Sequence, residues 1–234
     1  QEVSNELLLI TNSKEEYEEF ISKVNVNDFE LFSINENIIK DIKGHIGNLQ
    51  VTVLDEDEDI TLNVSQIVWF DAKQPRKERI GIFDPNLSTI DEVIQTLKNN
   101  INSYSYKKFT TYDSSICQYH ERREEICSKC EEVCPTVAIT KDDKTKTLTF
   151  SQIDCHGCGG CISVCPSGAV DYAPSNKEAL FEMSKFYKNT HPLVIPAKMN
   201  LENLEVSLKE NILPFAIEGE KFLHQASFLT LLQM

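Results

Sequence analysis

The chain has 234 residues, eight of them cysteine, and 37 acidic against 23 basic side chains give it a formal net charge of −14. That length suffices for one large domain or two modest ones without disulfide staples, and the acidity speaks against nucleic acid, whose phosphates are bound by Lys and Arg. A basic protein partner is the better electrostatic match. No run approaches the roughly 18 apolar residues of a membrane span, so a cytoplasmic protein is the simplest reading.

The first 106 residues read as an α/β layer. "NELLLIT" has the continuous apolar character of a buried strand, "SKEEYEEFISKV" the spacing of an amphipathic helix with Ser13 at its N-cap, and "FELFSI" that of a second strand. Two alternating runs, Leu49 to Leu54 and Ile60 to Phe70, predict a hairpin around an acidic turn. "LSTIDEVIQTLKNNI" predicts a helix capped by Ser88, with Asp91 closing a capping box. Residues 107–173 then carry an internal repeat: "KKFTTYDSSIC…CSKCEEVCPTVAIT" and "KTLTFSQIDCHGCGGCISVCPSGAVDY" share a β-rich run, a cysteine cluster ending in Cys-Pro and a small apolar strand. Two copies imply pseudo-two-fold symmetry, and "KDDKTK" between them reads as a solvated turn. From Pro174 to Met234 helix and strand alternate, which predicts a parallel pair with a crossover. The chain opens on Gln1 and closes on an apolar helical pattern without a stop signal. Both ends therefore leave room for a processed leader or a missing continuation.

All eight cysteines fall between Cys117 and Cys165. Such crowding points to a metal site in a reducing compartment rather than to scattered disulfides. Cys155, Cys158, Cys161 and Cys165, followed by Pro166, have the CxxCxxCxxxCP spacing of bacterial iron–sulfur ligation, in which the fourth Cys serves the other cluster of a pair. Gly157, Gly159 and Gly160 supply the positive φ values and close backbone approach that a tight wrap needs. In the upstream copy nine residues separate Cys117 from Cys127, after which Cys130, Cys134 and Pro135 keep the pattern. His120 stands where an unmodified motif would put the second ligand, so Cys117 and His120 are alternatives, with the thiolate favoured. His156 reads as a neighbouring or surface residue. A pair of four-cysteine zinc sites is the rival chemistry, although structural zinc modules more often join two separated cysteine pairs.

Over roughly Lys108 to Tyr172 the chain resembles the two-cluster bacterial-type ferredoxins. The resemblance implies two 4Fe–4S clusters, one held by Cys117, Cys127, Cys130 and Cys165, the other by Cys155, Cys158, Cys161 and Cys134, in an α+β dicluster fold flanked by small α/β regions. The flanks carry weaker likenesses. "IKGHIGNLQVTVLDEDEDITLNVSQIVWFD" looks like the stretch before the ferredoxin insert in the flavoprotein subunit of heterodisulfide reductase, but "AKQPRK" replaces the glycine-bearing turn and no GxGxxG occurs, so no flavin is expected. The tail "PLVIPAKM…NILPFAIEGEKFLHQASFLTLLQ" looks like the small domain that links hydrogenases to that reductase, without its cysteines. Redox protein partners of that kind are implied: a hydrogenase, a formate dehydrogenase or a heterodisulfide-reductase-like complex.

The leading expectation is thus an electron carrier or oxidoreductase subunit, the alternative an assembly factor for a complex redox enzyme. No nucleophile and base stand together in the sequence, and no catalytic residue is assigned. The polar insertion Gln118 to Ile126 is expected to lie outside the cluster, because burying unpaired charge costs several kcal/mol per ion. Cys117 would then sit on a soft tether, and its cluster would lose iron first under oxygen.

Overall fold

The computed structural model describes residues 1–25, 27–56, 58–71, 77–121, 127–197, 199, 207–219 and 221–233. The chain is α+β, built of short helices and small sheets, and it divides into two units, Gln1–Tyr106 and Lys107–Met234.

In the first unit the elements run β1 (Glu2–Val3), β2 (Glu6–Ile10), α1 (Lys14–Lys23), β3 (Glu30–Ile34), β4 (Ile39–His45), β5 (Asn48–Asp55), β6 (Glu58–Val64), β7 (Gln66–Trp69), β8 (Ile82–Phe83), α2 (Ile90–Asn100) and β9 (Asn102–Ser103). Strand β2 lies inside a parallel sheet of order β3-β2-β7-β8. Its side chains alternate between two cores, as a strand covered on both faces requires. Leu7 and Leu9 pack with Phe20, Val93 and Leu97 of α1 and α2, whereas Leu8 and Ile10 pack with Leu49, Val51 and Val53 of the antiparallel sheet β4-β5-β6. Ser13 caps α1 by accepting from the Glu16 amide.

Three readings shift. The cap of α2 is Thr89, with Glu92 closing the box, one residue beyond Ser88 and Asp91; this register buries Ile90, Val93, Ile94 and Leu97. The run from Ile60 to Phe70 breaks at buried Ser65, whose amide donates to Glu6 O and whose hydroxyl pairs with that of Ser4. The chain therefore leaves the antiparallel sheet at Val64 and enters the parallel one at Gln66. Strand β4 completes the small sheet ahead of the expected hairpin. The segment that would have carried a flavin turn, residues 72–76, lies outside the described residues.

The second unit contains β10 (Thr110–Tyr112), α3 (Lys129–Glu132), β11 (Ile139–Asp142), β12 (Thr147–Phe150), α4 (Gly160–Ser163), β13 (Val170–Tyr172), α5 (Lys177–Ser184), β14 (His191–Pro196), β15 (Ile212–Ile217) and α6 (Gln225–Leu232). The repeat becomes two antiparallel pairs, β10 with β13 and β11 with β12, and two single-turn helices, α3 and α4. Asp142 closes the charged turn by accepting from the amides of Lys144 and Thr145. Strands β14 and β15 pair in parallel, and most of the connection between them lies outside the described residues. Leu180, Phe215, Ile217, Phe222, Leu223 and Leu231 share one core with the cysteine region. Among the described residues no helix is long and apolar enough to cross a membrane.

Candidate metal centre

All eight cysteines stand as thiols with no disulfide among them. They divide around two cavities. The first, about 320 Å³ counting solvent at its mouth, is lined by Cys117, Cys127, Cys130 and Cys165 together with Tyr112. The second, about 420 Å³ on the same measure, is lined by Cys134, Cys155, Cys158 and Cys161 together with Phe150. Each cavity takes three cysteines from one copy of the repeat and the last cysteine of the other. The local reason is the short helices: α3 holds Cys130 and α4 holds Cys161, and four helical residues advance the chain by about 6 Å before the next thiol appears. His120 lines neither cavity; it stands at the edge of the Tyr112 ring, 6.1 Å between centroids. His156 is exposed at the wall of the second cavity.

The second loop is wrapped as its glycines suggest, with one difference. Gly157 has φ +70° and a Cβ there would meet the Phe109 ring at 2.6 Å; Gly159 has φ +81° and its Cβ would meet Phe222 at 2.4 Å. Only glycine tolerates both the left-handed backbone and the contact. Gly160 is different: it begins α4 in helical conformation, and its Cβ would find nothing nearer than 3.8 Å. The loop after β15 holds this wrap from outside, since the Lys221 amide donates to Cys158 O at 2.8 Å.

The first loop is held from within. Tyr119, inside the insertion, is fully buried, and its hydroxyl donates to Asp143 Oδ1 at 2.7 Å. Its amide donates to Cys117 Sγ at 3.4 Å, and Glu121 N donates to Lys146 O. The expectation that the whole insertion lies outside is therefore corrected at Tyr119. A polar stretch can carry one aromatic anchor inward while Gln118 and Glu121 stay exposed. Residues 122–126, which include Arg122 and Arg123, lie outside the described residues.

Donors recur around both quartets. The Gly157 amide bonds to Cys155 as that of Tyr119 does to Cys117. Two residues past each closing cysteine a hydroxyl approaches its sulfur, Thr136 Oγ1 to Cys134 at 3.4 Å and Ser167 Oγ to Cys165 at 3.8 Å. Burial, reinforced by neighbouring thiols, pushes Cys130 up to about 12, and burial likewise raises Cys155 and Cys161. Thiols in this state release their protons to a cation that replaces them. Soft thiolate ligands select iron–sulfur clusters, Cu(I) or zinc. Among the described residues no three Cys, His, Asp or Glu stand at the spacing of a single ion; the thiols ring a space instead. The hydroxyl of Tyr112, buried and lying against Cys117 without a well-formed hydrogen bond, also stands beside the first quartet. Residues and cavities fit a polynuclear sulfur-rich group.

Comparison with known proteins agrees. Residues 125–169 match the family described as a 4Fe-4S dicluster domain; the match takes in seven of the eight cysteines and begins after Cys117. The chain is 32% identical over 65 residues to the polyferredoxin protein MvhB of Methanothermus fervidus, a stretch that covers 25% of this chain and 16% of that one. It is 34% identical over 64 residues to an uncharacterized ferredoxin of Methanocaldococcus jannaschii, covering 27% of this chain and 94% of the relative. The class is an iron–sulfur electron-transfer protein. The chain belongs to the ferredoxin family, whose relative it contains almost whole within a longer sequence.

Proposed function

We propose that this chain relays single electrons between redox partners through two 4Fe–4S clusters, one held by Cys117, Cys127, Cys130 and Cys165, the other by Cys134, Cys155, Cys158 and Cys161. The observation that carries the reading is the division of the eight thiols into two cavities of four, each completed by the opposite copy of the repeat. A bound 4Fe–4S cluster supplies one-electron redox chemistry over a wide range of potentials set by its surroundings.

The protein's part is to bind, orient and shield. Thiolates hold each group, amides of Tyr119 and Gly157 donate toward the ligand sulfurs, the hydroxyls of Thr136 and Ser167 stand beside them, and Leu148, Ile139 and Phe150 keep the walls apolar. Residues 107–173 carry the electrons in this reading, and 174–234 brace them. Charge is divided differently. The first unit has 20 acidic and 9 basic residues, the second 17 and 14, so electrostatic orientation of a basic partner falls mainly to the first.

Anaerobic purification followed by iron and sulfide analysis tests the reading. About eight irons and eight sulfides per chain are expected, as two cubanes require. Substantial zinc without iron overturns it.

A further inference from the structure

We propose that the Tyr112 hydroxyl is a hydrogen-bond donor to the sulfur of the first site, and that it separates the reduction potentials of the two sites. The inference rests on the two-cluster reading above and goes beyond it.

"TYDSSIC" and "TFSQIDC" align Tyr112 with Phe150, each five residues before the first cysteine of its motif. The two rings stack on each other, centroids 4.5 Å apart and planes 28° from parallel, and each ring lines one cavity, Tyr112 the first and Phe150 the second. Around this axis the polar neighbours of the ligand sulfurs match in kind: an amide two residues after the first cysteine, and a hydroxyl two residues after the last. Tyr112 breaks the match. It brings one hydroxyl to the first cavity where the second has a bare phenyl ring.

That hydroxyl is buried, no well-formed hydrogen bond satisfies it among the described residues, and the thiol it lies against is that of Cys117. Leaving a buried donor unpaired is costly, so its place at a cavity wall beside four thiols has a ready explanation in a sulfur acceptor. Tyr172 has a similarly unsatisfied hydroxyl; it does not line the second cavity but stands in a neighbouring cleft with Phe109, Glu218 and the ligand Cys158, outside the position that Phe150 holds in the repeat. A donor beside a cluster favours the reduced, more negative form, so it raises the potential of the site it touches.

The test uses the full chain, loaded anaerobically, with iron and sulfide counted before redox titration followed by electron paramagnetic resonance. Tyr112→Phe is expected to lower one of the two midpoint potentials, by about tenfold in the reduction equilibrium or about 59 mV for one electron, and to leave the other in place. Phe150→Tyr is expected to raise the other. Because the second variant adds a group instead of removing one, it decides the matter if Tyr112→Phe fails to load. Two clusters whose potentials ignore both substitutions overturn the proposal while sparing the two-cluster reading. A wild-type chain without eight irons overturns that reading first.

Discussion

The two cysteine quartets descend from one repeat, yet they are protected in opposite ways. Around the first cavity Cys117, Cys130 and Cys165 are buried and only Cys127 is partly exposed; around the second only Cys161 is buried. The first loop is anchored from inside by Tyr119, the second clasped from outside by Gly219, Lys221 and Phe222. Symmetry of ligands therefore does not impose symmetry of environment. A cluster's potential and its access to solvent depend on the surroundings as well as the ligands.

The largest effect should come from breaking the exchange of ligands. Cys165→Ser should abolish the site lined by Cys117, Cys127 and Cys130, though it lies in the other motif, and iron should fall from about eight to about four per chain, the content of one cubane. If instead the site built by Cys155, Cys158 and Cys161 is the one lost, the crossed arrangement is wrong.

Next come the glycines. Gly159→Ala forces a left-handed residue with a Cβ 2.4 Å from Phe222; the conformation alone costs about 1–2 kcal/mol, and the contact adds to it. Reconstitution should yield the first site without the second. Gly160→Ala, whose Cβ would meet its neighbours only at ordinary contact distance, 3.8 Å and beyond, should load both, and equal damage from the two variants would contradict the clasp.

Brief oxidation gives a subtler comparison. The soft-tether expectation puts the first loss of iron at Cys117, but the observed packing argues the other way, because Cys117 is buried and Tyr119 is bonded on both its sides. We expect the three-iron signal to arise from the second site. The same signal abolished by Cys165→Ser would restore the tether.

The smallest effect belongs to Tyr119→Phe. It deletes the hydroxyl bond to Asp143 while keeping the buried ring, so thermal unfolding should show a loss of about 1 kcal/mol, with both clusters still bound.

Much of the site was legible because cysteine spacing is a local signal. The Cys-Pro ends fixed the alignment of the two motifs, and Tyr112 and Phe150 fall into register from the same repeat. Tyr119 was missed although its signal was present: one bulky aromatic within "QYHERREEI" had no reason to be there unless it was buried. The glycine contacts were not legible, since Phe222 is remote from Gly159 in sequence and nothing nearby announces it. In the first unit the alternation of Ile60, Leu62 and Val64 gives way after Ser65 and Gln66 to the continuous apolar run Ile67 to Phe70, a signal that the reading of one strand passed over. The pairing of Ser65 with Ser4 and Glu6 marks that corner in the structure.

The clasp also has a bearing on synthesis. A chain leaving the ribosome presents its amino-terminal portions first, and the first quartet is complete once Cys165 has emerged. The loop of Gly157 and Gly159 gains its outer wall only after Gly219 to Phe222 follow. Closing that longer segment costs little extra entropy, because the penalty grows only logarithmically with length. Its effect is on timing: the second quartet, whose last cysteine is Cys161, has its ligands before the first but its outer wall after it, which leaves an interval in which iron and sulfide can reach it.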